Sequence, residues 1–186
     1  MERVLVLVKP DGMERAMVGK IFDAFESAGL KIVGLKMLQA TDELVKKHYT
    51  DDESWLLSVG EKTKKSYIEK GIEVNETPRE IGVRIRNMLV KEITKMPIIA
   101  AVFEGNAAAD VARKIAGATE PRKADPSTIR GKYASDTYGL ADKEKRPVRN
   151  LVHVSETGEI GEKEIKVWFK ESELFEYGRI DWKAMY

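Results

Sequence analysis

Two histidines, His48 and His153, are the ring-nitrogen nucleophiles this chain offers, and it contains no cysteine. His153 lies in Leu151-Val152-His153-Val154-Ser155, a short apolar run of strand type that shields it partly from water. An imidazole at neutral pH can act as nucleophile or base. A lone histidine in an apolar strand is more often a satisfied core or edge residue, but two neighbours shift that balance. Ser155 has the same strand parity as His153, so its hydroxyl faces the same side. Glu164 stands one helical turn before Trp168, at the edge of the buried face of the next predicted helix. A half-buried carboxylate there can reach back to the imidazole, fix its tautomer and stabilise its cation. Asn150 has the opposite parity and belongs to the loop end, unless the strand twists there.

Upstream, Arg113–Arg149 holds ten basic residues against five acidic ones, in a chain whose net charge is only +1. Guanidinium presents a planar fork to oxygens, so arginines in a turn-rich polar segment suit phosphate. A solvated basic loop is the competing reading. Lys9 ends the first predicted strand, a common place for ligand-facing residues. His48-Tyr49 reads simply as the end of a helix. Trp55 is a core residue or a stacking surface, and the core reading is favoured.

Composition bounds these options. The 186 residues are 42% hydrophobic and 34% charged, which suits one globular domain. The absence of cysteine excludes disulfides, thiolate nucleophiles and zinc fingers. The small net charge implies no polyanionic partner. No run approaches the roughly 20 apolar residues of a spanning helix, and a cytoplasmic protein is expected.

The elements that must position these residues follow from periodicity. Val4–Val8 reads as a central strand covered on both faces. Lys9-Pro10-Asp11-Gly12 then suits a type I turn. Val18, Ile21, Phe22 and Phe25 have helical spacing, and Gly29 follows as a stop. Strands are predicted at Leu30–Gln39 and Pro97–Phe103, and a short helix from Thr41 to about Tyr49. Thr77-Pro78-Arg79-Glu80 opens another helix with a capping box, after a charged surface segment at Glu61–Lys70. Ala107–Ala116 is an Ala-rich helix ended by Gly117. Thr119–Arg149 reads as a long ordered loop or a functional loop, Glu159–Phe169 as a helix, and the aromatic tail to Tyr186 is expected to pack on the body. No Gly-x-Gly-x-x-Gly turn or P-loop supports a doubly wound parallel sheet.

Taken together, these residues resemble the nucleoside diphosphate kinase family. Lys9-Pro10-Asp11-Gly12 with Arg15 and Val18-Gly19 is similar to the family's opening motif, and His48-Tyr49 to its His-Tyr pair. Pro97–Gly105, Arg113 with Gly117-Ala118-Thr119, and Thr128-Ile129-Arg130-Gly131 follow its spacing. Asn150-Leu151-Val152-His153-x-Ser155 resembles the signature around the phosphorylated histidine, and Glu164-Ile165 with Trp168-Phe169 the helix behind it.

The resemblance implies an α/β (α+β) ferredoxin-like sandwich, a four-stranded antiparallel sheet with helices packed on it. It implies ping-pong transfer of a γ-phosphoryl group from a nucleoside triphosphate to a diphosphate through a phosphohistidine on His153. Glu164 and Ser155 would orient and polarise that histidine. Lys9, Arg113 and Arg130, with the hydroxyls of Tyr49 and Thr119, would hold phosphate oxygens, and Asn150 the sugar. Mg²⁺ would ride on the nucleotide phosphates, with no side-chain ligands. A homo-oligomer is implied, a hexamer being the family's usual form. The whole chain, residues 1–186, reads as one such domain with insertions at about 56–94 and 133–147. The first disturbs the place of the base-stacking aromatic, for which Trp55 is the replacement. Val154 stands where a Gly usually follows the histidine, and asks for ordinary strand backbone. The alternative is a non-enzymatic nucleotide- or RNA-binding module on the same fold. The strands carry few aromatics for that, and no nucleic-acid partner is expected.

Overall fold

The computed structural model describes residues 1–69 and 71–185. Lys70 and Tyr186, which end the predicted charged segment and tail, lie outside the described residues. In chain order the elements are β1 (Glu2–Val8), α1 (Pro10–Glu14), α2 (Val18–Ser27), β2 (Lys31–Leu38) and α3 (Asp42–His48). There follow α4 (Glu53–Glu69), α5 (Pro78–Thr94), β3 (Ile98–Gly105), α6 (Ala108–Ala116), α7 (Ile129–Tyr133) and α8 (Tyr138–Lys143). The chain then runs through β4 (Val152–Val154) and α9 (Gly158–Trp168) to α10 (Trp182–Met185).

The four strands form one antiparallel sheet in the order β2-β3-β1-β4. This is the ferredoxin-like arrangement. β1 is central and Val4–Val8 are fully buried. Alternation along it feeds two cores. Val4, Val6 and Val8 pack with Ile21 and Phe25 of α2 and the alanine face of α6. Leu5 and Leu7 pack with Val45 of α3, Val90 and Ile93 of α5, and Ile165 and Trp168 of α9. Each fully buried aliphatic or aromatic side chain contributes about 1.5–3 kcal/mol.

Several local expectations change in detail. The turn after β1 is instead a one-turn helix, α1, with Pro10 at its start where a missing N–H costs nothing. The predicted strand around His153 is only three residues long, because Leu151 takes a left-handed φ of 68° and ends the extended run. The loop Thr119–Arg149 holds α7 and α8, each with a threonine cap, Thr128 and Thr137. The charged segment, over Glu61–Glu69, continues α4.

α4 and α5 form a close helical pair. A Cβ on Gly60 would lie 1.7 Å from the Pro78 carbonyl oxygen, and one on Gly82 2.2 Å from that of Leu56. Only glycine permits that approach. Thr77 and Glu80 form the expected capping box. The tail does pack on the body: Phe175 N–H donates to Val33 (2.7 Å), and the rings of Tyr177 and Trp182 flank the Lys31 ammonium.

Candidate active site

β4 is held against the start of α1 by backbone contacts. Lys9 N–H donates to the Leu151 carbonyl (2.9 Å), and Asp11 accepts from Leu151 N–H (2.8 Å). Gly12 is needed here, since a Cβ would sit 2.7 Å from the Leu151 oxygen. These bonds maintain the left-handed Leu151, a conformation that costs on the order of 1–3 kcal/mol for a non-glycine residue. Val154 has the ordinary strand backbone its side chain asks for, paired with Val6. Local strain falls on Leu151 instead.

His153 pairs with Leu7 across the sheet and so points toward α3 and α9. Its Nε2 lies 3.2 Å from the Glu164 carboxylate. Ser155 is fully buried behind it. The Ser155 hydroxyl accepts from Leu5 N–H (3.0 Å) and donates to Glu164 at 2.5 Å. Ser155 therefore shares a side with His153, as parity requires, but positions the carboxylate rather than the ring. Burial pushes the Glu164 carboxyl up, yet the adjacent His153, with His48 and Ser155, outweighs it and holds the group at about 2. With an ionised carboxylate on Nε2, the ring proton belongs there, and the Nδ1 lone pair faces away from Glu164.

A cleft of about 1590 Å³ opens over this pair. Lys9, Tyr49, Trp55, Arg113, Thr119, Arg130, Asn150, His153 and Glu164 all line it. Lys9 is 5% exposed, and its Nζ donates to Asn150 Oδ1 (2.8 Å) and to the Val148 carbonyl (3.2 Å). Asn150 in turn donates to the Thr119 carbonyl (2.8 Å). Arg130 donates to the carbonyls of Gly117 (2.7 Å), Val152 (2.8 Å) and Asn150 (3.3 Å). Arg113 donates to the Glu156 carbonyl (3.0 Å). Among the described residues no carboxylate stands within ion-pair distance of these three cations. Burial lowers Lys9 despite the nearby Asp11, and lowers Arg130 to about 10, which leaves Arg130 charged at neutral pH. Buried cations held by neutral carbonyls keep their charge for an anionic ligand.

The structure also brings in residues that the sequence placed elsewhere. The His48 ring packs edge-on against His153, with centroids 4.5 Å apart, and its side chain is 1% exposed. Neither of its nitrogens has a hydrogen-bond partner. Burial drives it to about 3, so it is neutral. The sequence marked it by its position at the end of α3 and by the resemblance of His48-Tyr49 to the family's His-Tyr pair, and the fold turns it inward. Burial likewise raises the Tyr49 hydroxyl. Trp55 is half-buried on the cleft wall, 6.3 Å from the Tyr49 ring, rather than in the core. Asp11, which the sequence showed only as part of a turn, ties down the backbone beside His153.

A ferredoxin-like sheet that carries a histidine–carboxylate pair beneath unpaired cations is the equipment of a phosphotransferase acting on nucleotides. Comparisons with known proteins specify which. The family model described as nucleoside diphosphate kinase matches residues 2–56 and 82–174. A nucleoside diphosphate kinase of Pyrobaculum aerophilum is 44% identical over 94% of this chain and 98% of its own. One from Pyrococcus abyssi is 37% identical over 97% and 92%. Among solved structures, an NDP kinase from Pyrobaculum aerophilum superposes with a TM-score of 0.91 at 42% identity, covering 94% of this chain and 99% of that one. A transition-state mimic of the Borrelia burgdorferi enzyme with bound vanadate and ADP gives 0.79 at 31% identity, covering 98% and 95%. The chain belongs to the nucleoside diphosphate kinase family. It is an enzyme that transfers phosphoryl groups between nucleotides, and the binding-module alternative is not favoured. Family members depend on a divalent cation. Among the described residues no helix is long and apolar enough to cross a membrane.

Proposed function

We propose that His153 carries the phosphoryl group between nucleotides. The observation that supports this most is the engagement of Nε2 by Glu164, itself held by Ser155. That arrangement leaves the Nδ1 lone pair as the nucleophile. Nδ1 forms a bond to the γ-phosphorus of a nucleoside triphosphate as the bond to the β,γ-bridging oxygen breaks. The diphosphate leaves, and phosphohistidine remains. The ring gains positive character in this step, and the Glu164 carboxylate stabilises it. A second diphosphate then attacks through its terminal oxygen and regenerates His153.

Catalysis of this kind is mostly positioning and charge stabilisation. Lys9, Arg113 and Arg130 supply the charge, and Tyr49 and Thr119 supply hydroxyls. Each charge-assisted bond contributes about 1.5–3 kcal/mol. Asn150 holds the sugar and Trp55 stacks on the base. The donor set beside His153 is two imidazoles and one carboxylate, which does not suit a protein-held Mg²⁺. Mg²⁺ therefore enters as part of the nucleotide substrate, on its phosphate oxygens. The chain forms one domain, residues 1–186, with insertions at about 56–94 and 133–147, and the break in the family match between residues 56 and 82 supports the first of these. It acts in the cytoplasm as a homo-oligomer, with a hexamer the form to test.

The test is incubation with γ-labelled ATP and Mg²⁺. The protein should acquire acid-labile phosphate, and His153→Ala should acquire none. Label retained by that variant, or absent from folded wild type, overturns the assignment.

A further inference from the structure

His48, His153 and Glu164 offer one ligand atom each, and these three atoms all lie within 4.8 Å of one another. His153 Nε2 is 3.2 Å from Glu164, and His48 Nδ1 is 3.7 Å from it. A tetrahedral ion with bonds of about 2.0–2.2 Å needs donors roughly 3.3 Å apart. One edge of such a site already exists, and small ring movements complete the others. The independent sign of a ligand is His48 itself. Its side chain is 1% exposed and faces the other two groups, yet both its nitrogens lack partners. Buried polar atoms are nearly always bonded. Coordination would satisfy one of them. The Ser155 hydroxyl on Glu164 supplies the outer bond that typically orients a ligating carboxylate.

We propose that His48, His153 and Glu164 form an inhibitory site for a borderline divalent cation of the Zn²⁺ type, distinct from the Mg²⁺ that accompanies nucleotide. Two imidazoles and a carboxylate suit Zn²⁺, whereas Mg²⁺ takes an oxygen shell. Inhibition follows from the tautomer. With Glu164 accepting from Nε2–H, the free lone pair is on Nδ1. A metal that takes the Nε2 lone pair requires the ring proton to sit on Nδ1, where attack must occur. One imidazole cannot present both nitrogens to electrophiles while neutral. The binding half stands on geometry alone, and the inhibitory half rests on the reading of His153 as nucleophile.

The test separates the two halves. Nucleotide-free protein is titrated with CoCl₂, and four-coordinate binding is read from the visible absorption of Co²⁺. ZnCl₂ should displace it at one equivalent. Zn²⁺-loaded protein is then given γ-labelled ATP with excess Mg²⁺. Labelling should fall in proportion to occupancy and return when a zinc chelator is added. In His48→Phe, which keeps the ring packing, Zn²⁺ affinity should drop about 100-fold, and resistance of labelling to Zn²⁺ should shift equally. His48→Gln repeats the test if the Phe variant does not fold. Absence of the Co²⁺ bands, or equal Zn²⁺ affinity in both proteins, overturns the site. Tight Zn²⁺ binding with undiminished labelling overturns the inhibitory mechanism.

Discussion

On the floor of the cleft, Lys9 and Arg130 bond only to neutral oxygens. In the roof, made by α4, α5 and the 133–147 segment, Arg84 and Arg146 are committed to carboxylates, while Arg86 donates to the Tyr49 carbonyl (2.7 Å). Arg84 makes two bonds of 2.8 Å to Glu76, and Arg146 bridges Asp136 and Glu144. The two regions hold similar residue types in opposite electrostatic states. Pairing makes the roof a structural clamp, and the lack of it makes the floor a receptor for anions. The floor is also fastened across long stretches of sequence, through β1 and β4. Much of the roof is fastened locally, by glycine contacts between neighbouring helices. Changes to the floor should therefore affect chemistry, and changes to the roof should affect stability.

The sharpest division comes from Glu164→Gln. It keeps the shape of the site but removes the charge that fixes the tautomer of His153. Single-turnover labelling should slow by about 100-fold, with little change in melting temperature. A melting temperature lowered by many degrees with normal labelling would break the division.

Asp136→Asn tests the roof. Asp136 is 9% exposed, and it accepts from Arg146 (3.1 Å) and from Arg149 N–H (2.7 Å). Loss of the charge should cost about 1–3 kcal/mol of stability, while labelling of the folded protein stays near wild type. Burial raises the Asp136 carboxyl, but Arg146 and the backbone N–H groups outweigh it, so it lies below its ordinary 3.8. A depressed carboxylate stabilises above its unfolded pKa, and that contribution is lost as pH falls through the folded value. Wild type should thus lose stability more steeply than the variant as pH drops below about 3.8, which urea midpoints across the acid range would show.

Tyr67→Phe should give the smallest effect. The Tyr67 hydroxyl donates to Asp142 (2.8 Å) and links α4 to α8. Water can replace it at the half-exposed carboxylate, so the loss should not exceed about 1 kcal/mol, and labelling should not change. A large loss of activity would give the roof a part in the chemistry.

Much of the site was legible because it follows local periodicity. The alternation of β4 placed His153 and Ser155 on one side, and the helical spacing of α9 put Glu164 at the edge of its buried face. The caps at Thr41 and Thr77, and the stop at Gly117, marked helix ends by chemistry that acts within a few residues. The turn after β1 was harder to read, since Pro and Gly suit both a turn and the first turn of a helix. Leu151 was illegible, because nothing local favours its left-handed backbone. Contacts from Asp11 and Lys9, some 140 positions earlier, hold it there.

The sequence by itself determined the four strands, the helices that cover them and the pairing of His153 with Glu164, because side-chain periods of 2 and 3.6 residues select the buried faces. It could count ten basic residues in one segment but not sort them. Only the tertiary structure decided that Arg146 is neutralised while Arg113 and Arg130 are not, and that His48 lies against His153 with no partner for its nitrogens. Charge pairing and burial depend on distances between residues remote in the chain, and those distances exist only once the sheet has brought β1, α3, β4 and α9 together.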